Sequence, residues 1–212
     1  MKDTKNRIID SAENLFSQNG FSSTSVRDIT SLANANIAAL NYHFGSKERL
    51  ISAVFSRRIG PLNTERLRIL EQYSNDAKDG VPSLQQAVTA LVGPALRLSQ
   101  NDESGGQQFM CLMGRAFSNP DKGIEKDLLR LFEPLAKRFI PIFRHHLCDL
   151  PDHDFFWRIH FMIGLMSYTM AASHRLSFIS NGTCSMRDPE ETIKHLVNFV
   201  LSGLLAPRDK KA

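Results

Sequence analysis

Between residues 25 and 47 the chain gathers side chains suited to gripping a polyanion and reading base edges. Ala38 and Ala39 are small enough to let a backbone approach base edges, and their methyls can pack on thymine methyls. Asn41, Tyr42 and His43 follow directly and offer side-chain donors to phosphate oxygens, contacts that position a protein rather than specify a sequence. Lys47 places a cation beside the free amides of a helix start, and both favour a phosphate. Arg27, upstream, carries the planar fork that pairs with guanine O6 and N7.

These residues are useful only if short helices hold them. Apolar residues recur at three and four almost throughout, the helical period, with almost no strand-like alternation. In the first segment Ile8, Ala12, Leu15 and Phe16 share a face, and Asn19-Gly20 supplies a stop. Ser25 is placed to cap a second helix with Asp28 at the capping-box position, and Val26, Ile29 and Ala33 line its inner face. Asn34-Ala35-Asn36 reads as a tight turn, since asparagine tolerates the left-handed conformation. Asn36 then caps a third helix, Ile37 to Phe44, with Ile37, Leu40 and Phe44 inward, and Gly45 ends it. Ser46 caps a fourth helix, where Arg49 in place of glutamate leaves the capping box incomplete. Two short helices joined by a tight turn, with a helix before and a long one after, make a helix-turn-helix whose second helix enters the major groove.

Net charge supports that location. Residues 1–60 hold eight Lys/Arg against five Asp/Glu, whereas the remainder holds eighteen against seventeen. The basic excess therefore lies where a nucleic-acid element would use it. Cys111, Cys148 and Cys184 are widely separated and form no CxxC pair, which argues for a reducing, cytoplasmic setting over a disulfide framework. No secretory signal is visible, and the longest uncharged stretch, Ile159 to His174, is too short and polar for a membrane span.

Gly60-Pro61 is expected to kink or end the fourth helix, the fifth is expected to be interrupted near Gly93-Pro94, and Pro134 and Pro141 are expected to divide a helical region from Gly123 to Leu150. The turn from Asp76 to Pro82 precedes a helix opened by Ser83, and Asn101 to Gly106 is the most linker-like stretch. An apolar helix from Gln107 to Phe117 follows, ending at Asn119-Pro120. Two helices close the chain, about Asp154 to Ser180 and Pro189 to Leu205, the last capped by Asp188 with proline at its first position. The fold class is all-α.

Residues 20–50 carry Thr24-Ser25-Val26-Arg27-Asp28-Ile29-Thr30, then Ala33-Asn34-Ala35-Asn36, then Leu40-Asn41-Tyr42-His43-Phe44-Gly45-Ser46-Lys47 through Leu50. This resembles the TetR family of bacterial repressors. Asn34 stands for that family's turn glycine, Asn36 for its serine cap, and Asn41 for its first tyrosine, with Tyr42 as that tyrosine's stand-in. The resemblance implies that Arg27 and the start of the third helix, with Ala38 and Ala39, read bases, while Ser25, Tyr42, His43 and Lys47 hold the backbone; Asn36 is a structural cap and counts among the DNA-binding positions as well. The run from Asn41 to Lys47, with Ala53 to Arg57 and Gly60-Pro61, is similar to the fatty-acid-responsive, PsrA-like subgroup.

It further implies a homodimer paired through the last two helices, double-stranded operator DNA as partner, and a small-molecule effector of unidentified structure bound within residues 83 to 180. Ile193, Leu196, Val197, Val200 and Leu204 form an apolar stripe suited to a partner helix, or equally to an intrachain core. Gly164, Ser167 and Ala171 would allow close approach on the helix before. Phe109, Met110, Met113, Phe117, Phe132, Phe139, Phe143, Trp157, Phe161, Met162 and Met166 would suit an apolar ligand, though each also reads as ordinary core. Arg115 could meet an anionic head group or an internal carboxylate.

No metal or cofactor is expected. His145 and His146 are adjacent, about 100° apart on a helix, a poor chelating pair even with His153 nearby. No phosphate loop, HExxH or GxSxG occurs, so an enzyme is not expected. The organisation is a head at 1–48, a helical effector-binding and dimerisation part at 49–206 and a tail at 207–212. The rivals are an all-α small-molecule carrier or enzyme with a vestigial head, and a helical protein-interaction module.

Overall fold

The computed structural model describes residues 3–100, 105–106, 108–110, 112–113, 122–171 and 173–208. Its helices are α1 (Thr4–Asn19), α2 (Val26–Leu32), α3 (Ile37–Phe44), α4 (Lys47–Asp76), α5 (Leu84–Ser99), α6 (Lys122–His146), α7 (Asp152–Ala171), α8 (Ser173–Ile179) and α9 (Pro189–Leu204). The described residues between Gly106 and Met113 are helical too. Among the described residues there is no strand. The chain forms two compact units, Met1–Pro61 with Gln108–Glu133, and Leu62–Gln107 with Pro134–Ala212.

In the first unit, α1 packs on α2 and α3, and α2 on α3. Ile8, Ala12, Phe16, Ile29, Leu40 and Phe44 are buried, as their helical spacing requires. The core continues into α4 through Leu50, Val54 and Phe55. Phe16 meets Phe21 at 5.3 Å between ring centroids, Phe21 meets Phe55 at 5.8 Å, and Phe55 meets Phe109 at 5.8 Å. Arg57 joins Asp10 at 2.5 Å and also Glu13, and Arg58 joins Glu13 at 2.7 Å, so α4 is tied to α1 by charge as well. The first compact unit therefore extends past residue 48, because residues 49–61 supply part of its core.

The second unit is built on α5, α7 and α9, which pack on one another. Ala87, Val88, Val92 and Leu96 from α5 meet a core shared with Phe155, Ile159 and Met162 of α7 and the apolar stripe of α9. Arg97 of α5 pairs with Glu190 of α9 at 2.6 Å, and Arg158 of α7 donates to the Leu204 carbonyl at 2.6 Å, satisfying an acceptor left open at the end of α9.

None of the prolines ends or divides its helix. Pro61 lies inside α4, Pro94 inside α5, and Pro134 and Pro141 inside α6. A proline inside a helix forfeits an N–H bond and crowds the preceding turn, at a cost of about 3 kcal/mol. Each is flanked by buried apolar residues, such as Phe55, Ile59 and Leu62 around Pro61, or Val92 and Leu96 around Pro94. Burial at about 1.5–3 kcal/mol per large side chain outweighs that penalty and holds the helix through the break. Where a helix is expected from Asp154 to Ser180, the described residues are helical over Asp152–Ala171 (α7) and Ser173–Ile179 (α8).

Candidate nucleic-acid interface

The turn between α2 and α3 is built from local bonds. Ser25 accepts from the Asp28 amide at 3.2 Å, and Asp28 accepts in return from the Ser25 amide at 2.9 Å and hydroxyl at 2.7 Å. These bonds, the hydroxyl first, hold the Asp28 carboxyl below the usual carboxylate range. Ala33 ends α2, Asn34 takes φ 46° in the left-handed region, and the Ala35 amide closes on the Thr30 carbonyl at 2.9 Å. Asn36 then accepts from the Ala39 amide at 2.7 Å and starts α3. Gly45, at φ 76°, stops α3 by donating to the Asn41 carbonyl at 2.9 Å, and the Ser46 hydroxyl accepts from the Arg49 amide at 3.3 Å to start α4.

This frame buries Leu40 and Phe44 and turns the opposite face of α3 outward. Ala38 and Asn41 are exposed, Ala39 and His43 half-buried, and Tyr42 is 86% exposed with its ring edge-on to His43 at 5.2 Å. Arg27 is exposed on α2. Neither Arg27 nor Lys47 takes an ion pair among the described residues, so both guanidinium and ammonium remain available to an anion. Arg57 and Arg58, by contrast, are spent on Asp10 and Glu13.

Two details differ from the sequence reading. Ile37, at the first position of α3, is 42% exposed although it shares the helix face of the buried Leu40 and Phe44. It adds an apolar surface next to Ala38 that the pattern assigned to the core. Ser25 already spends its hydroxyl proton on Asp28, so toward a phosphate it has no donor left without breaking that bond. Arg49, also exposed and within the first turn of α4, brings a further cation to the same helix start.

The second unit places the remaining candidates differently from expectation. Ile193, Leu196, Val197, Val200 and Leu204 are all buried inside the protomer, because that stripe of α9 packs on α5 and α7. They leave almost no surface for a partner. The outward face of α9 shows Phe199, 66% exposed, and Leu205 follows it exposed. On α7, Phe161, Gly164 and Tyr168 form an exposed stripe at helical spacing, with Ser167 half-buried beside it. Nothing lies within 4 Å of a Cβ placed on Gly164. The side chain of Ala171 lies outside the described residues.

Trp157 and Phe161, expected around a ligand, stack on each other at 5.6 Å on the protomer surface. Phe156 and Ile163 are exposed on the same helix. Phe139, Phe143 and Met162 are buried in the second unit, with Met166 half-buried. Phe109, Met110 and Met113 are buried in the first unit, where Phe132 is half-buried. Arg115 and Phe117 lie outside the described residues. Among the described residues no three potential metal ligands gather, and no helix is long and apolar enough to cross a membrane.

A capped short helix, turned outward from a three-helix head and followed by a long helix with a basic start, defines a helix-turn-helix regulator. Residues 8–54 match the pattern of bacterial regulatory proteins of the tetR family, and residues 89–203 match the tetracyclin repressor-like C-terminal domain. The chain belongs to the tetR family of transcriptional regulators. A probable HTH-type transcriptional regulator of Bacillus subtilis, YttP, is 39% identical over 77 residues, covering 34% of this chain and 37% of that relative. The alignment thus spans little more than a third of that relative's length. Among solved structures, the fatty acid degradation regulator FadR of Bacillus halodurans superposes with a TM-score of 0.68 at 13% identity, covering 98% of this chain and 99% of that one. FadR of Bacillus subtilis, solved in complex with stearoyl-CoA, gives 0.67 at 12% identity over 93% and 97% of the two chains. At that identity the shared property is the fold.

Proposed function

We propose that this chain is a dimeric repressor that binds operator DNA through α3 and releases it when a small, largely apolar effector binds the second unit. The observation that carries the reading is the outward face of α3, where Ala38, Asn41 and the 86%-exposed Tyr42 stand outward beside Arg27 and Lys47, neither of which takes an ion pair among the described residues. Ala38 and Ala39, with Asn36 at the helix start, approach base edges, and Arg27 takes a guanine. Asn41, Tyr42, His43 and Lys47 hold phosphates, and Ser25 fixes the α2 frame that aims Arg27.

Two copies are required for two half-sites about one helical turn apart. The exposed apolar stripes of α7 and α9, with Phe161, Tyr168 and Phe199, are the surface that pairing would cover. The effector reading is supported by family membership and by the shared fold with a regulator solved with stearoyl-CoA. For release, the effector must bind the state incompetent for DNA more tightly, and DNA must weaken effector binding by the same factor.

The test is binding of the full chain to DNA flanking its own gene, in a salt series and against unrelated competitor. A saturable complex protecting a near-palindrome, with affinity falling steeply as salt rises, is the expected result. Failure there and in selection from random DNA would end the repressor reading.

A further inference from the structure

Arg66, on α4 in the second unit, is 2% exposed and yet meets no acid among the described residues. Its Nε donates to the Leu91 carbonyl of α5 at 2.7 Å, and one Nη donates to Asn63 Oδ1 at 3.2 Å. The other Nη has only the Met166 thioether of α7, at 3.8 Å. None of the three contacts carries a charge. Burial lowers its pKa to about 10, which still leaves the guanidinium charged at neutral pH. An ionised group taken out of water without an opposite charge is costly, and proteins ordinarily pair or neutralise it.

A structural role does not explain the charge. Joining α4 to α5 at Leu91 needs a single neutral donor, which a glutamine would supply. What a guanidinium adds is the second edge of its fork. With Nε committed to Leu91, that edge is the pair of Nη groups, one of them facing a weak sulfur acceptor where an oxygen would bind far better. The surroundings are apolar and compliant. Met162, Met166 and Met170 follow one another at four-residue spacing along α7, the outer two buried, and Leu70 is buried one turn beyond Arg66 on α4. Methionine has three freely rotating side-chain bonds and yields to a guest more readily than branched residues.

We infer that Arg66 is the anchor for the oxyanion head of the effector, an apolar chain ending in a carboxylate or phosphate, with Met166 the side chain that gives way to it. This deepens the regulatory reading and rests on it. Arg115, the arginine that sequence alone offered for an anionic head, is not needed for this assignment. The buried position of Arg66 means that binding exchanges a sulfur contact for a charge-assisted one.

The experiment titrates the full chain, below micelle thresholds, with straight-chain acids from hexanoate to hexadecanoate, the alcohols of the same lengths, and dodecyl phosphate. Wild type is expected to prefer an oxyanion over the alcohol of equal length by at least about tenfold, the worth of one charge-assisted hydrogen bond. Whether carboxylate or phosphate binds more tightly identifies the head, and either supports the anchor. Arg66→Gln, which keeps a neutral donor, should reduce the preference to about twofold or less, while Arg66→Lys retains part of it. Equal binding of acids and alcohols by wild type at every length, which needs no variant to fold, would overturn the inference. So would an undiminished preference in a folded Arg66→Gln. The same preparations are assayed on DNA: selective DNA binding without oxyanion preference removes the anchor alone, and Arg66-dependent oxyanion binding without selective DNA binding removes the repressor reading alone.

Discussion

Tyr42 and Arg27 are asked to do different jobs, and single substitutions separate them. Tyr42→Phe deletes one phenolic donor to phosphate and should weaken binding to all DNA sequences alike. Arg27→Ala should relax preference at one base pair by about 1–3 kcal/mol, read by competition among operator variants. Equal loss on every sequence in both variants would show that Arg27 contacts only the backbone. Ser25 belongs to the frame. Ser25→Ala removes the acceptor for the Asp28 amide and should cost about 0.5–2 kcal/mol of stability in denaturant melts. Its partner adds a pH dependence. Asp28 titrates below its ordinary carboxylate value in the folded chain, so the stabilisation it brings is fully present above that ordinary value. It is lost as pH falls through the lowered one, and melts in that acid range should show the loss in wild type and not in Asp28→Asn.

At the scale of the element, capping signals proved readable because they are local. Ser25 with Asp28, Asn36, and Asp188 before Pro189 each act within one turn, and the structure forms every one of those bonds. The prolines were not readable in the same way, since their effect depends on what packs around them. If burial is what carries α4 through Pro61, then Pro61→Ala should raise stability by about 1–3 kcal/mol, the helix penalty less the gain from a stiffer unfolded chain. A lower melting temperature in that variant would mean that the fold uses the proline.

For the whole molecule the helical period located the apolar face of α9 without revealing what would cover it. Ile193 and Val200 could have met a partner or their own chain; the packing of α5 and α7 against them decides for the chain. Which face remains outward is a property of three helices together, and no single helix encodes it. The same holds for Trp157 and Phe161, aromatic enough for a pocket but left on the outside. Arg66 is invisible to sequence for a related reason, because only the assembled unit shows that no acid among the described residues reaches it. Two substitutions on adjacent residues of α9 test this division. Phe199→Asp should leave helicity intact and convert dimers to monomers in sedimentation, while Val200→Asp, at a 2%-exposed position, should unfold the chain.

Trp157 is the sole tryptophan of the chain. It is 50% exposed, stacked on Phe161, and its indole N–H donates to His153 Nε2 at 3.2 Å. Excited near 295 nm, it therefore reports from the very helix whose outer stripe pairing would cover. Dilution of the wild-type chain should shift its emission to the red over the range where sedimentation shows dimers separating. Phe199→Asp should emit at the red limit at every concentration. A single natural fluorophore would then follow assembly in real time, with no label attached and no DNA present.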